Sequence, residues 1–180
     1  MQSGRISSRY ARALYEFSSS ENSLDEVYHD SDFVTSLFIN SKEFNSLLSN
    51  PVISTREKEQ LVFELLKTKT HPTLLSFINL MVRKNREAYI LGSMIIYKKL
   101  YREKKGILKV IVEMPHQISK ETQDNIERVI QTRFKKQAEL EMKIKPELLG
   151  GFVLQVEDQL IDQSVWGQLK KIRKTLIPEK

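Results

Sequence analysis

The stretch Lys98-Lys-Leu-Tyr-Arg-Glu-Lys-Lys-Gly106-Ile-Leu-Lys-Val-Ile-Val-Glu-Met114-Pro115 decides the fold, because the hydrophobic period changes inside it. On its N-terminal side apolar residues recur at helical spacing, and the last helical turn is basic, which suits the negative end of a helix dipole. Gly106 breaks that pattern. The run from Ile107 to Met114 is rich in β-branched residues and reads as a strand, stopped by Pro115. A chain that is helical before this point and mixed after it is predicted to be α+β, with domains over 1–105 and 106–180.

Upstream, Ile6, Tyr10, Ala13, Leu14 and Phe17 lie on one face of an amphipathic helix. Ser18-Ser-Ser-Glu-Asn-Ser23 is predicted to end it, since short polar side chains compete for backbone hydrogen bonds. Leu24, Val27, Phe33, Val34, Leu37 and Phe38 mark a second helix. Residues 42–48 make a short third, closed by Asn50-Pro51. Ser54 or Thr55 caps a fourth, whose buried stripe is expected to be Leu61, Val62, Leu65 and Leu66. His71-Pro72 leads into a fifth over 74–83, and a sixth spans 87–105. Short helices with short connections predict an N-terminal six-helix antiparallel bundle.

Downstream, Ser119 caps a helix with Ile126, Val129, Ile130 and Phe134 on its apolar face. Leu140, Met142 and Ile144 alternate with charged residues, as in a half-buried strand. Gly150-Gly151, read as a tight turn or a close backbone contact, precede a strand over 152–156. Asp158-Gln159 read as a turn before Leu160-Ile161. Asp162 leads into a last helix with Val165, Leu169, Ile172 and Leu176 at helical spacing. Residues 106–180 therefore predict a small mixed α/β domain.

Composition and motifs narrow the function. The 180 residues are 40% hydrophobic and carry no cysteine, which excludes disulfides, thiol nucleophiles and cysteine-ligated metals. The net charge of +6 is spread along the chain rather than gathered into the aromatic-interleaved stripe of a nucleic-acid binder. No nucleic-acid partner is expected, and a basic nucleic-acid-binding adaptor stands as the alternative. No apolar run approaches the ~20 residues of a membrane span, and the N-terminus lacks a signal-peptide core, so neither direct membrane insertion nor export is expected. Glycines at 4, 92, 106, 150, 151 and 167 match neither a P-loop nor a dinucleotide fingerprint. His29, His71 and His116 are too far apart to form a ligand pair, and no nucleophile elbow surrounds a serine. Asp162 and Ser164 read as helix cap and first turn. Catalytic, cofactor-binding and metal-binding residues are all expected to be absent.

Surplus apolar surface remains. From Leu74 to Val82 apolar side chains cover roughly 220° of the helical wheel, and Tyr10, Ala11, Ala13, Leu14, Tyr15 and Phe17 cover roughly 200°. A helix on a bundle surface needs about half that arc. Two arrangements satisfy the excess: both helices are central and buried on all sides, or each turns one face toward an amphipathic partner helix.

The tail Leu149-Gly-Gly-Phe-Val-Leu-Gln-Val-Glu-Asp-Gln-Leu-Ile-Asp-Gln-Ser-Val-Trp-Gly-Gln-Leu-Lys-Lys-Ile172 resembles the C-terminal signature of the F-type ATP synthase delta (OSCP) subunits. Arg9-Tyr-Ala-Arg-Ala-Leu-Tyr-Glu-Phe17 is similar to that family's opening helix. Asn50-Pro51 and Phe77-Ile-Asn-Leu-Met-Val-Arg-Lys-Asn-Arg86 fit in order and position. Gln163 stands where the family usually has glycine, and Trp166 where it often has a basic residue. The resemblance implies a non-catalytic stator subunit of a bacterial proton-translocating ATP synthase. Such a subunit is expected in one copy per complex, peripheral on the cytoplasmic face of the inner membrane. The resemblance further implies a groove between the first and fifth helices for the N-terminal helix of a catalytic-head alpha subunit, contacted by Tyr10, Ala13, Leu14, Phe77, Leu80 and Met81. The C-terminal domain would engage the b subunits of the peripheral stalk through Val165, Trp166, Leu169 and Ile177. Those four positions suit the domain's own core equally well.

Overall fold

The computed structural model describes residues 2–176; Ile177, one of the expected stalk positions, lies outside them. Six α-helices come first: α1 Gln2–Ser20, α2 Leu24–Asn40, α3 Lys42–Ser49, α4 Thr55–Leu66, α5 Pro72–Arg83 and α6 Ile90–Lys105. A 3₁₀ turn at Glu87–Tyr89 precedes α6. Then follow β1 Ile107–Met114, α7 Lys120–Phe134, β2 Gln137–Ile144, a 3₁₀ turn at Pro146–Leu148, β3 Val153–Val156, β4 Gln159–Asp162 and α8 Val165–Leu176. The class is α+β. The chain divides into two compact units, Met1–Tyr101 and Arg102–Lys180, so the division falls within the basic end of α6 rather than at Gly106. Arg102 belongs with the second unit, where its guanidinium lies 3.9 Å from the Glu139 carboxylate of β2.

In the first unit the helix ends follow local chemistry. α1 ends inside the expected Ser18–Ser23 run, at Ser20, and closes on Asn22 at φ 53°. There the Ser23 N–H donates to the Ser18 carbonyl at 2.9 Å and the Asn22 N–H to the Ser19 carbonyl at 3.2 Å. Asn85, at φ 52°, ends α5 with the same pair of bonds, back to Met81 and Val82. Asparagine tolerates this left-handed position better than most residues, and so serves as the terminator twice. Ser54 opens α4 with a reciprocal capping box to Glu57. Before α5, the His71 ring accepts from the Thr73 N–H while Pro72 occupies the first turn.

One expected stripe is corrected. Val62 and Leu66 of α4 are buried, but Leu61 and Leu65 are 37% and 45% exposed. The third core-side position is Lys58, one turn before Val62, whose ammonium meets the Glu87 carboxylate at 2.9 Å. Burying a lysine requires such a partner, and this pair holds α4 against the 3₁₀ turn. Deeper in the unit, Tyr97 is fully buried and its hydroxyl bridges Ser18 Oγ at 3.3 Å and the Leu24 carbonyl at 3.2 Å. That bridge ties α6 to the α1–α2 junction.

In the second unit the sheet order is β2-β1-β3-β4. β1 runs parallel to β2, with α7 as the crossover, and antiparallel to β3, which forms a hairpin with β4. The hairpin loop is Glu157-Asp158, with Glu157 at φ 50°, one residue earlier than the expected turn. Leu108, Val110, Val112 and Met114 alternate inward from β1 and meet Ile130 and Val156 in the core. Ile126 and Ile130, one turn apart, carry the inner face of α7. The expectation that Val129 and Phe134 share that face is corrected, because both side chains are exposed.

Candidate functional site

α1 packs against α5, where the Tyr10 and Phe77 rings meet edge-to-face at 6.3 Å, and Ser23, just before α2, donates its hydroxyl to Thr73 Oγ1 at 3.2 Å. The structure divides the six expected groove residues into two sets. Leu14, Phe77 and Met81 are buried and belong to the core. Ala13 and Leu80 are exposed, Leu80 by 47%, and Tyr10 is half-buried. Phe17, one turn beyond Ala13, is 40% exposed and extends the same line. The large apolar arcs seen in the sequence are therefore mostly consumed by neighbouring helices, since α5 touches α1, α2 and α4 together. What stays accessible is a narrow seam of Tyr10, Ala13, Phe17 and Leu80.

The helical unit also carries two concavities. One lies along the outer side of α1, bounded by Arg5, Ser8, Arg9, Arg12, Ala13 and Glu16. The other lies between α4 and α5, where the Arg83–Glu59 pair at 2.8 Å sits beside Leu61, Phe63 and Asn79. Reading the sequence missed this second hollow. Its signal was present in the apolar residues on both flanks of α4: Leu61 reads as core by its spacing, and Phe63 falls outside the stripe.

On the second unit, α8 is anchored at its start, and its apolar side chains from Val165 to Ile172 are exposed. Ser164, wholly buried, caps the helix by accepting from the Gly167 N–H at 2.9 Å. Its own hydroxyl donates to Asp162 Oδ1 at 2.6 Å, and its N–H donates to the same oxygen at 2.9 Å. Asp162 thus braces the cap rather than being the cap. The Ser164 hydroxyl, and after it the Ser164 N–H, hold the Asp162 carboxyl below its ordinary range, with help from Lys171 and Lys170. The Gly150 carbonyl accepts from the Val165 N–H at 3.0 Å, satisfying a second first-turn donor. Gly151 explains its own identity: at φ 70°, a Cβ there would stand 2.2 Å from the Gln163 carbonyl oxygen. Gln163 itself is absent from the positive-φ residues, so a residue with a Cβ sits there without strain. Beyond this junction Val165, Trp166, Leu169 and Ile172 are 43–56% exposed. They form an uncovered apolar stripe, and Lys170 lies over the Trp166 ring at 5.3 Å. Ile172 was legible as periodic but not as part of this surface.

Among the described residues no group of three or more His, Asp or Glu could hold a metal ion, and no helix is long and apolar enough to cross a membrane. The family model for "ATP synthase delta (OSCP) subunit" matches residues 6–176. The chain belongs to that family. It is 34% identical to the ATP synthase subunit delta of Gloeobacter violaceus, covering 96% of each chain. It is 32% identical to that of Bacteroides fragilis, covering 98% of this chain and 96% of the relative. The ATP synthase subunit delta of Symbiobacterium thermophilum is 29% identical over 98% of this chain and 95% of its own. A chain of the Toxoplasma gondii mitochondrial ATP synthase hexamer shares the fold, with a TM-score of 0.72, 23% identity, and coverage of 97% and 99%. As a delta/OSCP subunit, the chain is a non-catalytic stator component of an ATP synthase.

Proposed function

We propose that the chain links the catalytic head to the peripheral stalk by using one surface on each unit. The helical unit, as a six-helix bundle over 1–105, receives the N-terminal helix of a head alpha subunit along the α1–α5 seam. Tyr10, Ala13 and Leu80 make contact, while Leu14, Phe77 and Met81 support the seam from beneath. The mixed α/β domain over 106–180 engages the b subunits of the stalk through Val165, Trp166 and Leu169, joined by Ile172. The assembly sits on the cytoplasmic face of a bacterial inner membrane, with one copy of this chain per complex. The observation that carries this reading is the pair of uncovered apolar surfaces, one per unit: an adaptor needs two, and monomeric proteins seldom leave such stripes bare.

The test is calorimetry of the full chain with a synthetic peptide of the N-terminal helix of its own alpha subunit. Binding is expected. Leu80→Asp should abolish it with unchanged circular dichroism, and absence of binding at high micromolar peptide would refute the seam. Separately, a tagged chain should recover alpha and b subunits from its own cells, and Trp166→Asp with Leu169→Asp should lose b while keeping alpha.

A further inference from the structure

The accessible apolar part of the seam is small, essentially Ala13, Phe17 and Leu80 beside half-buried Tyr10. Next to it runs a charged feature that the proposed function does not use. Arg5, Arg9 and Arg12 are all exposed, at i, i+4 and i+7 of α1. At 100° per residue they fall within an arc of about 60°, and about 100° around the helix from the line through Tyr10, Ala13 and Phe17. They therefore form a basic row about 10 Å long at 1.5 Å per residue, on the outer side of α1, which Arg9 brings up to the seam beside Ala13 while Arg5 and Arg12 reach it only along their long side chains. The hollow along α1 is bounded by these same three arginines with Ser8 and Glu16. Among the described residues none of the three arginines forms an ion pair with a carboxylate. Arg9 lies over the Tyr10 ring at 5.7 Å, so its charge already leans toward the seam. Elsewhere in this unit basic side chains do find carboxylates, as in Lys58–Glu87, Arg83–Glu59 and Lys67–Glu64.

Building on the reading of the α1–α5 seam as a helix-docking site, we infer that its occupant is an amphipathic helix carrying carboxylates on the edge that lies over α1. They are spaced at one-turn intervals so that two or three meet Arg5, Arg9 and Arg12. The apolar stripe sets the position of the occupant, and the arginine rim selects its charge and its rotational register. Opposite-charge juxtaposition contributes selectivity and association rate more than raw affinity. An exposed pair changes binding by about two- to fivefold.

The test uses the full chain with Arg5→Gln/Arg9→Gln/Arg12→Gln, which removes the charge, keeps a polar, strongly helix-forming side chain and touches no core residue. The probes are the alpha N-terminal peptide of its own synthase and the same peptide with its flanking Glu and Asp changed to Gln and Asn. At about 50 mM salt the triple variant should bind the native peptide about tenfold more weakly. The difference should shrink toward unity near 0.5 M salt, where screening is short-ranged. The neutralised peptide should bind both proteins alike. Equal binding of the native peptide by both proteins at low salt overturns the inference while leaving the seam intact, whereas loss of binding only with Leu80→Asp upholds the seam alone. If no peptide binds either protein, seam and rim fall together. If the triple variant binds the native peptide normally but no longer binds anionic phospholipid vesicles, the stripe serves a lipid surface and the inference is wrong.

Discussion

Gly167→Ala separates two accounts of the tail with opposite signs. Gly167 lies in the first turn of α8, and replacing a helical glycine by alanine ordinarily stabilises by up to about 1 kcal/mol. Here a Cβ would stand 2.3 Å from Asp162 Oδ2 and 2.6 Å from Cγ and Oδ1. The carboxylate must leave, and with it goes the acceptor for the Ser164 hydroxyl and N–H. The Gly167 N–H can still donate to Ser164 Oγ, but stranding the buried Ser164 hydroxyl costs about 1–3 kcal/mol. Set against the helix-propensity gain, the net expectation is destabilisation of α8 by up to about 2 kcal/mol. Global unfolding of a two-unit chain is a poor reporter, so the assay is amide hydrogen exchange over residues 165–173, which reads local opening. Faster exchange is expected. In an Asp162→Ala background the clash is absent, so Gly167→Ala should become neutral or protective, and the sign change in the double-mutant cycle isolates the contact. Slower exchange with Gly167→Ala alone would show that the brace is not what demands glycine.

Leu14→Ala should cost about 2–5 kcal/mol in denaturant unfolding, as a fully buried leucine. Leu80→Ser should stay within about 0.5 kcal/mol yet lose the alpha peptide, because its side chain is 47% exposed. The Glu57 carboxyl is held low by the Ser54 hydroxyl and N–H, and Asp162 by Ser164. Each cap is intact above the ordinary carboxylate pKa and is lost as pH falls through the depressed folded value. The Glu57 and Gly167 amide resonances should therefore shift only in strongly acid solution. Burial raises the Tyr97 phenol from 10.0 to about 12, against the smaller opposing effect of its bond to Ser18. Its contribution to stability is complete below pH 10 and disappears between 10 and about 12, so unfolding free energy should fall across that window, less steeply in Tyr97→Phe.

Much of the fold was legible because its punctuation is local. The shift of period at Gly106, the Ser54 and Ser119 caps and the Pro72 start each act through neighbours a few residues away. What was misread depended on the third dimension. Leu61 and Leu65 have the spacing of a core stripe, but α4 turns Lys58 inward instead, because Glu87, far along the chain, supplies the compensating charge. The run after Phe17 does end α1, at Ser20. Yet Ser18 is wholly buried, donates to the Tyr15 carbonyl at 3.1 Å, and meets the Tyr97 hydroxyl, which no local pattern announces. Likewise Gly151 was visible as a turn or close contact, while its partner, the Gln163 carbonyl, became visible only in space.

The docking surfaces show the same division with a consequence for mechanism. Helical-wheel arithmetic put excess apolar arc on the first and fifth helices, yet most of that arc is buried against neighbouring helices. Only a side chain's neighbours decide whether an apolar position is core or surface, so equal hydrophobicity put Met81 inside and Leu80 outside. On α8 the same arithmetic found Val165, Leu169 and Ile172, and there the structure leaves the stripe bare. An adaptor built this way holds its partners by unequal means. The helical unit offers a thin apolar line beside a basic rim, whereas α8 offers a full apolar face fixed by one braced cap. The first attachment should therefore weaken with salt and the second with loss of the Asp162–Ser164–Gly167 cap, so the two can be loosened independently in one intact chain.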